Sequence, residues 1–325
     1  MTVDPRALET AANLLRGAPS IAMTCHIGPD GDALGSMLGV ALAAKEAGRS
    51  VLPSFGPPFE LGPSYRFLPT ELLVPLSEVP PEPEIMVTFD SGNIERLGDL
   101  APHAAAAKTL IVLDHHAAGS GGFGHVNLVD PTAAATAEIA FELVETIGWK
   151  VDARVATCFL TGLVTDTGRF QYSNTSPATL RLAARLVELG ARPEEIGQHV
   201  YEETAFGYLP TAAAVLARAQ LVPEVGLVWS VLFETDLEEA GIDLADTDSL
   251  IDLVRLPIEA NAAMILKQHG PGVFKGSLRS RGLVDIGSVA AVLGGGGHHN
   301  AAGFTFEGSP EEAVAAVVRL LKGTP

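Results

Sequence analysis

In the first 190 or so residues, short apolar runs alternate with longer helical stretches, and the ends of several runs carry aspartate or histidine. The runs at 21–25, 51–55, 84–89 and 109–113 read as buried strands. The stretches 33–47 (closed by Gly48), 134–147, 153–164 and 177–189 read as helices. Strands that alternate with helices in this way imply a mainly parallel sheet flanked by helices, an α/β fold. The first twenty residues lack a basic start followed by an apolar run, and are expected to form an amphipathic helix rather than a signal peptide. The proline-rich segment 56–83 is expected to hold only short elements.

The pattern changes after a break near 190–193. Residues 194–222 look helical. Strands are expected at 226–233, 262–268, 272–280 and 302–306, with 289–293 as a helical stretch before four glycines, and 310–321 as a closing helix with proline in its first turn. The implied division is an N-terminal domain over 1–192, a helical linker over 193–222 and a smaller C-terminal α/β domain over 223–325.

In a parallel α/β sheet the loops at the carboxyl ends of the strands form the active-site rim. Four candidate positions on that rim carry chemistry: His26-Ile-Gly-Pro-Asp30-Gly-Asp32, Asp90-Ser-Gly, Asp114-His115-His116 and Asp166-Thr-Gly168. Each has an ordinary reading. Pro-Asp-Gly-Asp is turn chemistry, Asp32 can cap a helix, a His-His pair is commonly surface, and Asp-Thr-Gly can stop a helix. Independent turns, however, need not all place such groups on one rim. Mixed carboxylate and imidazole ligands suit manganese, iron or zinc rather than an oxygen-only calcium cage. Four aspartates and two histidines exceed what one catalytic ion with an open position uses. They suit two ions roughly 3.5–4 Å apart that share a carboxylate, an arrangement suited to phosphate chemistry.

Composition narrows the partners. The formal net charge is -18, whereas proteins that track long nucleic acid present a basic face. A nucleotide substrate should therefore be small. No run of 18 apolar residues predicts a membrane span, and two cysteines, Cys25 and Cys158, suit core positions in a reducing cytoplasm.

The ordered set His26-x-x-x-Asp30-x-Asp32, Asp90, Asp114-His115-His116 and Asp166 resembles the four motifs of the DHH phosphoesterase family. The resemblance implies that His26, Asp30 and Asp90 hold one divalent ion and that Asp32, Asp90, His115 and Asp166 hold the other, with Asp90 bridging. It implies further that Asp114 orients His115 and that His116 faces the substrate phosphate as a general acid, with manganese as the expected metal.

In the second half, four successive glycines, 294–297, precede His298-His299-Asn300-Ala301-Ala302-Gly303. They read either as a flexible loop or as backbone brought close to a ligand, its N–H groups cradling phosphate. Arg279, at a strand end, reads as a surface residue or as a bidentate phosphate contact. The segment resembles the signature Gly-Gly-Gly-His-x-x-Ala-Ala-Gly of the DHH-associated C-terminal domain, which implies substrate-binding roles for Arg279, Gly295, Gly296, Gly297 and His298. Together the two resemblances imply an active site in the cleft between the domains and a cytoplasmic, dimeric enzyme. Expected substrates are very short ones: oligoribonucleotides, linear or cyclic dinucleotides such as cyclic di-AMP, and 3',5'-bisphosphate adenosine. Rival readings are an inorganic pyrophosphatase or exopolyphosphatase, a non-catalytic nucleotide sensor, and a nucleic-acid-binding module.

Overall fold

The protein, as a computed structural model, is described over residues 3–116 and 122–323. Contacts divide it into two units, Met1–Glu202 and Glu203–Pro325. The division falls inside the segment 193–222 expected as a helical linker. That segment is not one helical piece: it ends in a strand, Gln220–Val222, because Gln220, Leu221 and Val222 pair antiparallel with Trp229, Val228 and Leu227.

The first unit opens with α1 (Pro5–Gly17), capped by Asp4, whose carboxylate accepts from Arg6 N. There follow β1 (Ser20–Cys25), α2 (Gly31–Glu46), β2 (Ser50–Ser54), β3 (Ile85–Phe89), α3 (Ala101–Ala106), β4 (Thr109–Asp114) and β5 (Val126–Val129). Helices α4 (Thr136–Ile147), α5 (Ala153–Asp166), α6 (Pro177–Glu188) and α7 (Pro193–Gly197) complete it. All five strands are parallel, in the order β2-β1-β3-β4-β5. The order reverses at β1, so β1 and β3, neighbours in the sheet, flank the switch point where open α/β sheets bind ligands.

Helix α2 is buried throughout residues 31–44 and packs against α5. A stripe of Gly31, Gly35 and Gly39, four residues apart, lets the two helices touch backbone to backbone. A Cβ on Gly35 would lie 2.3 Å from Cys158 O, and one on Gly39 2.6 Å from the Phe159 ring. Gly162 answers from α5, where a Cβ would stand 2.6 Å from Asp32 Oδ1. Capping fixes where these helices start. Asp30 Oδ1 accepts from Asp32 N and Ala33 N, and Asp152 caps α5 in the same way. Cys25 and Cys158 are free and fully buried, and burial pushes both thiols up, as expected of core cysteines.

The second unit runs α8 (Tyr208–Ala217), β6 (Gln220–Val222), β7 (Leu227–Leu232), α9 (Glu234–Ala240), α10 (Leu250–Val254), β8 (Ala262–Gln268), β9 (Val273–Ser280), α11 (Ile286–Val292), β10 (Gly296–His298), β11 (Ala301–Glu307) and α12 (Pro310–Gly323). Its six strands form a mixed sheet, β10-β11-β9-β8-β7-β6, in which only β7 and β8 run parallel. Trp229, Met264, Leu278 and Phe304 build a core on one face with α11 and α12, and Val228, Leu232 and Ile265 build another with α8 and α10. Among the described residues, no helix is long and apolar enough to cross a membrane.

Candidate metal centre

Strand register assembles the site. Cys25 pairs with Phe89 and Phe89 with Leu113, so the next residues, His26, Asp90 and Asp114, leave adjacent parallel strands side by side. Asp90 N continues the ladder by donating to Leu113 O at 3.0 Å. Asp90 itself adopts φ 54°, the left-handed region that costs a non-glycine residue about 1–3 kcal/mol.

The Asp90 carboxylate sits at the centre of the cluster. Its Oδ2 lies 3.5 Å from His26 Nε2, and its Oδ1 lies 3.5 Å from His115 Nε2 and 3.6 Å from His116 Nδ1. Asp30 Oδ1 stands 3.9 Å from His26 Nε2, and Asp166 Oδ2 stands 3.3 Å from His115 Nε2. Ligand atoms within 4.8 Å of one another form three sets: His26, Asp30 and Asp90; Asp32, His115 and Asp166; and Asp90, His115 and His116. All six residues expected as metal ligands are thereby brought together.

Asp32 and Asp166 reach the cluster from helix ends. Helix α4 has no side-chain cap of its own, and Asp32 supplies one. Its Oδ2 accepts from Thr136 N at 2.6 Å and its Oδ1 from Ala137 N at 3.0 Å, so the positive end of α4 faces the carboxylate. Ser36 Oγ also donates to Asp32 Oδ1, and Thr136 Oγ1 donates to Asp90 Oδ1. Thr136 was not singled out from sequence, although threonine at a helix start was a readable signal.

The cluster fits divalent cations on its own chemistry. His26 Nδ1–H and His115 Nδ1–H each donate to a backbone carbonyl, of Ile27 and of Ala133. That fixes both rings with Nε2 turned towards carboxylates, the orientation typical of metal-binding histidine. His26 Nε2 is buried and makes no hydrogen bond among the described residues. Burial opposes protonation of His115, but the charges of Asp166, Asp90 and Asp32 outweigh it and push its pKa up to about 9. Burial, with the charge of Asp90 beside it, raises Asp32 to about 7, and burial raises Asp166 well above the ordinary carboxylate range. A divalent cation among these carboxylates would oppose those shifts, so metal binding should release protons.

Asp114 differs from expectation. Its Oδ1 accepts from His116 Nδ1–H at 2.7 Å, so it orients His116 rather than His115, whose Nδ1 is engaged by Ala133 O. On the other side of the His116 ring, Arg96 Nη1 lies 3.2 Å from Nε2. Sequence reasoning missed Arg96, which lies in a turn with no motif around it.

In the second unit, Arg279 lies on β9 between Ala301 of β11 and Ala263 of β8, half-buried, with its Nη1 donating to Leu278 O. Part of the glycine run is strand rather than loop. Gly296 and Gly297 belong to β10, and the close approach is to β11: a Cβ on Gly295 would meet Gly303 O at 2.0 Å, and one on Gly297 would meet Ala301 O at 2.4 Å. Gly296 would meet nothing within 4 Å. His298 closes β10, and its side chain lies outside the described residues.

Residues 20–163 match the DHH family, N-terminal domain, and residues 226–324 match the DHHA1 domain. The bifunctional oligoribonuclease and PAP phosphatase NrnA of Thermus thermophilus is 35% identical over 292 residues, which span 89% of this chain and 84% of that one. An exopolyphosphatase-related protein from Bacteroides fragilis, of known structure, covers 99% of this chain and 97% of its own with a TM-score of 0.91 at 22% identity. RecJ from Thermus thermophilus in complex with Mn2+ covers 100% of this chain and 56% of its own with a TM-score of 0.60 at 17% identity. At such identities the two solved structures speak for the fold alone, whereas the matched domains and the NrnA relative speak for descent. The chain belongs to the DHH family of phosphoesterases, hydrolases of phosphoric ester bonds.

Proposed function

We propose that the chain hydrolyses very short nucleotides, namely short oligoribonucleotides, linear or cyclic dinucleotides and 3',5'-bisphosphate adenosine, to nucleoside monophosphates with the help of two divalent ions, of which manganese suits the ligands best. The observation that carries this reading is the pair of ligand sets, His26 with Asp30 and Asp32 with His115 and Asp166, on either side of Asp90. Asp90 would serve both ions. Two such ions, when bound, supply Lewis acidity to activate water and to neutralise phosphate charge.

The chain's own groups do the rest. Asp32 is held by the α4 N-terminus and Asp90 by Thr136, so both carboxylates are fixed before any substrate arrives. Asp114 holds the His116 ring by Nδ1, which leaves Nε2, once it has taken up a proton from water, as the atom from which that proton can pass to the leaving ester oxygen as the P–O bond breaks. Arg279, the 295–297 glycines and His298 are proposed to grip the nucleotide. The naming of the Thermus relative for both oligoribonuclease and PAP phosphatase activity supports the substrate class.

Turnover of a linear dinucleotide, a short RNA, cyclic di-AMP, 3',5'-bisphosphate adenosine and pyrophosphate, measured side by side with added manganese, tests the proposal. Hydrolysis of at least one nucleotide well above pyrophosphate is expected. Pyrophosphate as the sole good substrate would overturn it.

A further inference from the structure

Arg96 occupies a place that the ligand sets do not explain. It lies in the turn of 3-10 helix Ile94–Leu100 that follows β3 and Asp90. Its backbone is pinned at both ends: Arg96 N donates to Asn93 Oδ1 at 3.1 Å, and Arg96 O accepts from Ile27 N at 2.9 Å, next to His26. Ile27 is itself packed under Gly56 and Gly98, where a Cβ on either glycine would lie 2.7 or 2.6 Å from Ile27 Cγ2. The half-buried side chain then reaches the DHH triplet and donates Nη1–H to His116 Nε2.

The guanidinium has no carboxylate within ion-pair distance among the described residues, although Asp90 and Asp114 lie just across the His116 ring from it. An arginine held rigidly next to a cluster of carboxylates, yet paired with none, is arranged for an anion that comes from outside. Only one of its five N–H donors is used on His116. The remaining fork suits two oxygens of one phosphate.

We propose that Arg96 is a substrate-binding residue of the N-terminal unit, contacting the non-bridging oxygens of the phosphate under attack, beside His116. This rests on the phosphoester site proposed above. Charge accumulates on those oxygens as the ester bond breaks, so the contact strengthens towards the transition state. When the phosphate takes the guanidinium, His116 Nε2 is released from it and becomes free to take up a proton from water and pass it to the leaving oxygen.

The test compares Arg96→Gln and Arg96→Lys with wild type for manganese content, for kcat/KM on a linear dinucleotide and on bis-p-nitrophenyl phosphate, and for inhibition by inorganic phosphate. Both variants keep a donor near His116, but only lysine keeps the charge. Expected for Arg96→Gln are unchanged metal content, a loss of roughly tenfold to a hundredfold in kcat/KM on both esters, and a similar weakening of phosphate inhibition. Arg96→Lys should fall between Arg96→Gln and wild type. Wild-type phosphate inhibition and turnover in Arg96→Gln would mean that any donor to His116 suffices, and the proposal would fail. Loss of metal from both variants, with thermal melts unchanged, would also overturn it. Wild type that turns over neither ester would sink the phosphoester site itself and this contact with it, whereas wild-type turnover with an indifferent Arg96→Gln sinks this contact alone.

Discussion

Asp90 faces His26, His115 and His116 at once, from a backbone conformation that an aspartate adopts only at a cost. Its replacement by alanine keeps the Cβ and so keeps that strain, which should cost some stability, and Asp90→Ala protein should lose most bound manganese. Activity should fall more than the roughly 10–100-fold typical of losing a group one shell further out. Glu312→Ala, at an exposed helix start far from the cluster in sequence, serves as the control, and full activity with undiminished metal in Asp90→Ala would remove the bridging role. The His115–His116 pair divides by its partners. His115 Nε2 faces Asp90 and Asp166, whereas both His116 nitrogens are engaged, by Asp114 and Arg96. His115→Ala is therefore expected to lose metal. His116→Ala is expected to retain it and lose about 10²–10⁴ in turnover, the usual weight of a positioned acid. Elemental analysis of the two variants decides, and equal metal loss would mean that the third ligand set, Asp90 with both histidines, is the operative one.

At the level of elements, the α2–α5 seam controls how closely Asp32 and Asp166 can approach. Gly35→Ala would force a methyl group against Cys158 O, a rigid backbone atom 2.3 Å away, so the helices must part. Overpacking of this sort costs about 1–3 kcal/mol. A lowered melting temperature together with weaker metal binding is expected, and an unchanged melt would show that the seam can yield. The elements themselves were largely readable. Strands β1, β3 and β4 are continuous apolar runs that end in aspartate or histidine, which is how buried parallel strands read. Strand β5, Val-Asn-Leu-Val, was missed because it is a four-residue, half-buried edge with a polar residue inside it. Helices α9 and α10, of seven and five residues, are too short to show a period. The candidate ligands were legible because their types and rim positions suit a chemistry. The Asp114–His116 pairing and Arg96 were not, since one depends on the Ala133 carbonyl taking the other histidine and the other on a tertiary hydrogen bond across twenty residues.

At the scale of the whole molecule, every candidate metal ligand precedes residue 170, whereas Arg279 and the glycine run lie beyond residue 270. If the second unit grips the nucleotide, Arg279→Ala should lower kcat/KM for a dinucleotide roughly tenfold to a hundredfold, the worth of a charge-assisted hydrogen bond. Bis-p-nitrophenyl phosphate, with no nucleoside to hold, should be spared, and metal content should not change. Equal losses on both esters would assign Arg279 to the reaction itself. The α2–α5 glycine contact has a consequence for how such a chain would come to hold metal ions at all. Gly35 and Cys158 are far apart along the chain, and the helices that they join, α2 and α5, carry Asp32 and Asp166. A calcium loop of a dozen consecutive residues carries its ligands in one local segment; here no short stretch can. Ion capture during refolding should therefore trail the recovery of helical signal and coincide with the slowest, most non-local docking step. A nascent chain released before α5 is complete would leave the ribosome without Asp166 and without the helix against which Asp32 packs.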